Sequence, residues 1–173
     1  MSTKPNILAA VDLDGHATTV IADAARLAAL CQGHLVIVHV LGDAWQVQPD
    51  QPFAQRPDVV RDAMVRHARA SLVGMVSHLD LPTDWIEIRV EAGPVTRALS
   101  EIAGALQPKY CLVGPARFGP FSPSAGLASA LKEQSDCEVL RIAAKRAEDG
   151  GGIGAWVRQQ LEGGLGAPTG QGS

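Results

Sequence analysis

The sequence predicts an α/β domain with an open, doubly wound, Rossmann-like sheet of five parallel strands and helices on both faces. Two observations carry this prediction. Short apolar segments of strand length alternate along the chain with longer segments in which apolar residues recur at helical spacing. Two of the short segments, residues 7–11 and 35–41, are almost continuously apolar, as parallel strands covered on both faces are. Right-handed crossovers between such strands then place the helices on the sheet.

The first half of the chain contains two strands, two helices and a long loop. In chain order these are a strand at 7–11, a helix that follows it, a strand at 35–41, a loop at 42–57 and a helix at 57–79. We expect Thr18 or Thr19 to cap the first helix at its N-terminus and Gly33 to end it. The long helix is predicted by apolar residues at helical spacing, namely Val60, Met64, Ala68, Leu72, Met75 and Leu79.

The second half adds three strands and two helices. They are, in order, a strand at 85–90, a helix from residue 93, a strand at 110–113, a short helix at 125–133 and a strand at 138–142. The first of these strands alternates cleanly between apolar and polar residues. Pro94 stands in the first turn of the helix that follows, where its missing N–H group costs nothing.

A ligand site is expected at one edge of this sheet. Doubly wound sheets bind ligands outside the carboxyl ends of their strands, where the strand order reverses. The segments at these ends are residues 12–16, 40–42, 91–93 and 114–126. In the last segment, a glycine-bearing loop leads into a helix, and its backbone N–H groups could hold a phosphate beside Arg117. Its three prolines fit a stiffened connection equally well.

Composition excludes several classes of protein. The net charge is −3 and aromatic residues make up only 4% of the chain, so no surface for nucleic acid is expected. The apolar segments are too short to span a membrane, and the N-terminus has no signal peptide. Three widely spaced cysteines, Cys31, Cys111 and Cys137, indicate reduced thiols and a cytoplasmic protein. No histidine has the spacing of a metal ligand, and we expect His39 to be a hydrogen-bonded core residue.

No arrangement of catalytic residues is recognisable. Asp12 and Asp14 follow the first strand, as in a response-regulator receiver, but the third strand ends without the phosphate-accepting aspartate. The loop after the fourth strand has the glycine spacing of a P-loop, but Pro120 and Phe121 stand where lysine and serine or threonine are needed. We therefore expect no enzyme. Slow hydrolysis of ATP remains as an enzymatic alternative, for which the sequence identifies no general base.

Taken in order, several segments resemble the universal stress protein family, over about residues 5–143. They are the opening strand with its acidic end at 7–12, the second strand ending His-Val at 35–40, Gly-Pro at 93–94 before an amphipathic helix, the fourth strand with its glycine at 111–114, and Cys-Glu-Val-Leu at 137–140. The resemblance implies the fold described above. It also implies a cytoplasmic regulatory protein with a crevice for an adenine nucleotide.

Nucleotide-binding members of that family hold ATP with Gly-x₂-Gly-x₉-Gly-Ser/Thr in the loop after the fourth strand. The resemblance implies that Asp12 and Val40 line an adenine pocket and that Gly114 begins this loop. Arg117 replaces the second glycine, Ala125-Gly126 replaces the final Gly-Ser, and Gly119 or Ser124 could compensate. The implied nucleotide-binding residues are Asp12, Val40, Gly114, Arg117, Gly119, Ser124, Ala125 and Gly126. The implied ligand is ATP or another adenine nucleotide, and the altered loop leaves open that it has been lost.

Members of the family commonly form homodimers through their last strand. The resemblance therefore implies a homodimer through residues 138–142, from Glu138 to Ile142. An edge strand leaves backbone donors and acceptors unpaired, so pairing with a second copy is physically reasonable. Glu138 and Arg141 could instead be charges that protect the edge from association.

The chain after residue 145 lies outside the resemblance, so we expect a domain at 1–145 and a tail at 146–173. Nine of the 18 glycines fall in the last 24 residues, which favours a flexible chain. Residues 153–162 form an amphipathic segment, with one apolar helical face made by Ile153, Trp156, Val157 and Leu161. This face packs either on its own domain or on a partner. The alternative function is an adaptor or cargo protein that binds no nucleotide and docks a larger partner through this tail.

Overall fold

The structure, a computed structural model, describes residues 4–13, 15–42, 56–115 and 124–142. In these ranges, strands alternate with α-helices from the first element to the last. The strands are β1 (Asn6–Ala10), β2 (His34–Leu41), β3 (Ile86–Ala92), β4 (Tyr110–Val113) and β5 (Glu138–Arg141). The α-helices are α1 (Ala17–Cys31), α2 (Pro57–Val76), α3 (Val95–Leu106) and α4 (Ser124–Gln134), and a short 3₁₀ helix covers Thr83–Trp85.

The five strands form one parallel sheet in the order β3-β2-β1-β4-β5. The first strand is therefore the central one. Leu8 of β1 is paired with Val36 of β2 on one side and with Cys111 of β4 on the other. The strand order reverses between β1 and β4, so the predicted doubly wound α/β fold is confirmed.

Alternate side chains of each strand point to opposite faces of the sheet and build two cores. On one face, which we call the α1–α2 face, Ile7 packs with Leu27 of α1 and Leu72 of α2. On the other, the α3–α4 face, Leu8 packs with Leu99 of α3. These side chains are at most 3% exposed, and burying each of them contributes about 1.5–3 kcal/mol. The helices are thus held on both faces of the sheet.

The start of α1 differs from the prediction. The helix begins at Ala17, which is buried in the α1–α2 core, and the N–H group of Val20 donates to the carbonyl oxygen of His16 over 3.1 Å. Thr18 and Thr19 are exposed residues of the first turn. The prediction that one of these threonines caps the helix is wrong. Ala17 is already helical and packs in the core, so the N-cap position falls on His16, before the threonines.

The end of α1 has a different cause from the one predicted. Gln32, with φ of 49°, adopts the left-handed conformation that closes the helix. Gly33 is instead required by a close approach of the backbone. A Cβ atom at Gly33 would lie 2.6 Å from the carbonyl oxygen of Pro5 and 3.0 Å from Cδ1 of Ile7. The chain therefore needs a glycine there for space rather than for a positive φ.

The long helix α2 is shorter than predicted. It begins at Pro57, as expected, and ends at Val76 rather than at Leu79, whose N–H group donates to the carbonyl oxygen of Val76 in a turn. The bulk of the predicted loops, residues 43–55 and 116–123, lies outside the described residues. So do the predicted domain end at residue 145 and the whole tail.

Candidate ligand-binding site

The carboxyl ends of β1 and β4 lie side by side where the strand order reverses. Their last paired residues are Ala10 and Val113. Beyond this pair the two segments diverge. The segment from Val11 leads towards α1 on one face of the sheet, and the segment from Gly114 leads towards α4 on the other. A crevice for a ligand forms at such a point in open α/β sheets.

The residues implied for an adenine pocket reach this edge in different ways. Asp12 is exposed directly after β1. Val40 is 7% exposed and packs into the core of the α3–α4 face, so its side chain is part of the support beneath the edge. Gly114 is half-buried directly after β4. A Cβ atom there would make only an ordinary contact of 3.9 Å with Val20, so packing does not explain why this residue is glycine.

The helix α4 presents its N-terminus at the same edge of the sheet. The first N–H groups of a helix have no partner within the helix, and the helix dipole is positive there, so this end attracts anions. No acidic residue lies in the first turn of α4. Gly126, in this turn, is exposed and has open space where a Cβ atom would lie. Arg117 and Gly119 lie outside the described residues, as do the side chains of Ser124 and Ala125.

His39 lies near the same end of the sheet, on the face opposite to Val40. The residue is 8% exposed, and its Nδ1 atom donates to the carbonyl oxygen of Val11 over 2.8 Å. A carbonyl oxygen can only accept, so Nδ1 carries the proton, and Nε2 is an acceptor in the neutral ring. The predicted core hydrogen bond is confirmed for Nδ1. Nε2 has no partner in the described part of the chain.

A cavity of about 460 Å³, which we call the α2 cavity, lies between α2 and the ends of β1 and β2. It is lined mainly by apolar side chains, and the lining residues that the structure describes are Leu13, His39, Leu41, Val60, Ala63, Met64, His67 and Ala68. This cavity was not predicted from the sequence, in which the apolar residues of α2 recur at helical spacing as one continuous stripe. Only the later part of the stripe is buried, at Ala68 and Leu72, whereas Val60 and Met64 are half-buried.

Two thiols contact each other within the core of the α3–α4 face. Cys111 of β4 and Cys137, just before β5, are free cysteines that are 0% and 5% exposed. The hydrogen bond with Cys137, together with burial, raises the pKa of Cys111 well above its ordinary value. The same bond lowers the pKa of Cys137 to about 6 against the opposing effect of burial. Of the two thiols, Cys137 is therefore the one that loses its proton first.

Other kinds of site find little support in the described residues. Within these ranges, no three side chains of the His, Cys, Asp and Glu types are grouped so that they could hold a metal ion. No helix among the same residues has the length and apolar character needed to cross a membrane. In the described part of the chain, the carboxyl edge between β1 and β4 and the α2 cavity thus remain as the candidate places for a ligand.

Comparison with known proteins identifies the fold. No protein-family model matches the sequence, and no curated protein matches it significantly. Among solved structures, the universal stress protein UspA from Lactobacillus plantarum is 18% identical, with 83% of this chain and 100% of that chain covered and a TM-score of 0.61. A universal stress protein family member from Burkholderia pseudomallei is 23% identical, with 81% and 96% covered and a TM-score of 0.58.

A third solved structure, a universal stress protein in complex with cAMP, is 17% identical, with 83% of this chain and 100% of that chain covered and a TM-score of 0.52. The chain thus has the α/β fold of universal stress proteins. The resemblance seen in the sequence is confirmed at the level of the fold. Because the identities are all below 25%, they carry the fold and leave the function to the geometry of the site.

Proposed function

We propose that this chain is a regulatory protein that holds an adenine nucleotide in the crevice at the carboxyl edge of its sheet. The observation that carries the proposal is the arrangement of Asp12, Gly114 and the N-terminus of α4 along the edge where the strand order reverses. The choice of ligand is supported by two structures with this fold. One is the universal stress protein in complex with cAMP, and the other is the universal stress protein from Archaeoglobus fulgidus in complex with dAMP.

In the proposed complex, Asp12 and the end of β2 at Val40 flank the adenine ring. The phosphates lie against the loop after β4 and the first turn of α4, whose backbone N–H groups would donate to their oxygen atoms. The residues assigned to the phosphates are Gly114, Arg117, Gly119, Ser124, Ala125 and Gly126. Arg117 contributes a positive charge where related nucleotide-binding loops have a glycine, so its role is specific to this chain.

Calorimetric titration of the full chain with ATP, AMP and cAMP tests this proposal. We expect saturable binding of at least one of them in the micromolar range. Arg117→Ala should weaken ATP binding about tenfold and AMP binding less, because a charged hydrogen bond to the outer phosphates is lost. Arg66→Ala, an exposed arginine on α2, is the matched control and should change neither. Failure of all three nucleotides to bind would contradict the proposal and favour the adaptor function.

The proposal includes a homodimer formed through β5, which is an edge strand of the sheet. The N–H group of Glu138 donates to the carbonyl oxygen of Lys109, just before β4, and that of Ile142 donates to Val113 of β4. The N–H group of Val139, between them in the alternation, therefore faces away from the sheet. Light scattering should give the mass of a dimer for the full chain. Val139→Pro removes this outward N–H group and should shift the mass towards a monomer, with an unchanged circular dichroism spectrum as the control. A monomeric mass for the unaltered chain would refute the dimer.

The proposal also assigns the protein to the cytoplasm and gives it no catalytic step. The free thiols of Cys31, Cys111 and Cys137 favour a reducing compartment. No side chain at the crevice is identified as a general base, so we expect no release of phosphate from bound ATP above the rate in buffer. A colorimetric phosphate assay over several hours measures this, and sustained turnover would instead support slow hydrolysis.

The adaptor function is favoured by one observation, the apolar face that Ile153, Trp156, Val157 and Leu161 share in the amphipathic segment 153–162. A partner groove that receives such a helix would bind the full chain and not a chain ending at residue 145. Affinity capture with the two forms compares their partners. Identical sets of captured proteins would exclude a role of the tail in docking.

A further inference from the structure

We propose that the α2 cavity is a second binding site, separate from the nucleotide crevice, for a small aromatic or aliphatic alcohol. The apolar body of this ligand fills the cavity, and its hydroxyl group donates a hydrogen bond to Nε2 of His39. Three features support this site. They are the size and lining of the cavity, the Nε2 atom of His39, which has no partner in the described part of the chain, and the face of the sheet on which both lie.

The size and lining of the cavity suit a small molecule with a mostly apolar surface. Its volume of about 460 Å³ falls within the range of about 300–1,000 Å³ that small-molecule sites have. Leu41 and Ala68, which are 8% and 1% exposed, belong to its inner wall, and the exposed residues Ala63 and His67 mark its opening to solvent. A ligand can therefore enter beside α2 and place its apolar surface against this inner wall.

The polar group of the ligand is specified by His39. This ring lines the cavity, and its Nδ1 proton is already committed to the carbonyl oxygen of Val11. In the neutral ring, Nε2 can therefore only accept, and a buried acceptor without a partner is unfavourable. A hydroxyl donor supplies that partner. Among the lining residues that the structure describes there is neither lysine nor arginine, so a neutral alcohol fits better than a carboxylate or a phosphate.

The α2 cavity and the helix α4 lie on opposite faces of the sheet. Successive residues of β2 point to opposite sides, so His39 and Leu41 line the cavity on the α1–α2 face, whereas Val40 packs on the α3–α4 face. The helix α4, whose N-terminus is assigned to the phosphates, packs on that second face as well. In the described part of the chain, none of the residues assigned to the nucleotide lines the cavity, although Leu13 of its lining directly follows Asp12.

Titration of the full chain with 1-naphthol and 1-methoxynaphthalene tests the proposal. The two probes have the same aromatic body, and only 1-naphthol can donate to His39. We expect 1-naphthol to bind saturably and 1-methoxynaphthalene to bind about 3- to 10-fold more weakly, as the loss of one neutral hydrogen bond predicts. Equal affinities of the two probes, or no saturable binding of 1-naphthol, would overturn the proposal.

Two further measurements separate the cavity from other surfaces. Ala63→Phe fills the cavity and should weaken 1-naphthol binding at least about tenfold, whereas Ala70→Phe, at an exposed residue of α2 outside the lining, should leave it unchanged. In the unaltered chain, 1-naphthol should shift the ¹⁵N resonance of His39 Nε2, and it should do so equally with ATP present. Equal effects of the two variants, an unshifted resonance or displacement of 1-naphthol by ATP would each refute a separate site.

Discussion

The carbonyl oxygen of Pro5 lies 2.6 Å from the point that a Cβ atom on Gly33 would occupy. This contact joins the segment before β1 to the turn between α1 and β2, where the N–H group of His34 also donates to the same oxygen over 2.9 Å. The starts of β1 and β2 are thus held together at the amino edge of the sheet. No side chain larger than hydrogen fits at Gly33 unless the backbone moves.

The first prediction is that Gly33→Ala lowers the free energy of unfolding by about 1–3 kcal/mol, the usual cost of overpacking a core. Gly74→Ala is the matched control, because a Cβ atom at Gly74, within α2, has nothing within 4 Å. That variant should gain about 0.5–1 kcal/mol from the higher helix propensity of alanine. Urea unfolding measures the free energy of unfolding of both variants. If the two changes had the same sign, the close contact with Pro5 would not be what requires a glycine at this position.

A second prediction concerns the hydrogen bond between His39 and Val11. His39→Leu should lower the free energy of unfolding by about 1–3 kcal/mol, because the buried carbonyl oxygen of Val11 loses its donor. His67→Leu replaces an exposed histidine and should stay within about 0.5 kcal/mol of the unaltered chain. Urea unfolding at one pH compares the two. A similar loss in both variants would mean that the bond to Val11 contributes little.

The third prediction follows from Asp23, a residue of α1 that is 7% exposed. Burial raises the pKa of the Asp23 carboxyl above its ordinary value of 3.8, and the guanidinium of Arg26, 3.4 Å away and 72% exposed, opposes this only in part. The folded state therefore binds the proton more tightly than the unfolded state does. The contribution of Asp23 to stability should be greatest at low pH and should fall as the pH rises through the raised pKa.

Asp23→Asn removes this dependence, because the amide cannot ionise. We expect the variant to have a higher free energy of unfolding than the unaltered chain at neutral pH, with a difference that shrinks as the pH is lowered towards 3.8. Asp80→Asn, at an exposed site, serves as the control. Urea unfolding over a series of pH values measures the difference. A difference that grows on acidification would contradict the assignment to Asp23.

A fourth prediction concerns the two thiols of the α3–α4 core. Titration of thiolate absorbance should show one cysteine ionising near the pKa of about 6 that the Cys111 hydrogen bond gives to Cys137. Cys111→Ala removes this donor and should move the ionisation up towards 9, whereas Cys111→Ser keeps an O–H donor and should retain much of the shift. Cys31→Ala is the control. An ionisation near 6 that survives in Cys111→Ala would have to come from another cause.

Local patterns in the sequence were sufficient to predict every strand and α-helix of the described residues, because the period of apolar residues differs between the two. They were less informative about why an element ends. A glycine after a helix is typical both of a left-handed cap and of a close backbone contact. At Gly33 the second explanation holds, and the cap falls on Gln32. The choice between them depends on Pro5, which is distant in sequence.

The candidate site shows the same division. Asp12 and Gly114 could be assigned to one edge because parallel strands all end at the same side of a sheet. The α2 cavity could not be predicted, because Val60 and Met64 have the same helical spacing as Leu72, which is fully buried. How far each turn of a helix stands from its sheet depends on side chains from other segments. A pattern within the helix does not contain that information.

The central position of β1 also determines when this sheet can be completed during synthesis of the chain. The side chain of Asn6 donates to the carbonyl oxygen of Leu106, which is 100 residues later at the end of α3. The strand β4, which pairs with β1, follows α3 in the chain. On the ribosome, β1 can pair early with β2 but keeps its other edge open until β4 has emerged. An apolar edge left open in this way favours pairing with other chains. Nascent chains that stop before Tyr110 should therefore aggregate or bind chaperones more readily than those that have passed it.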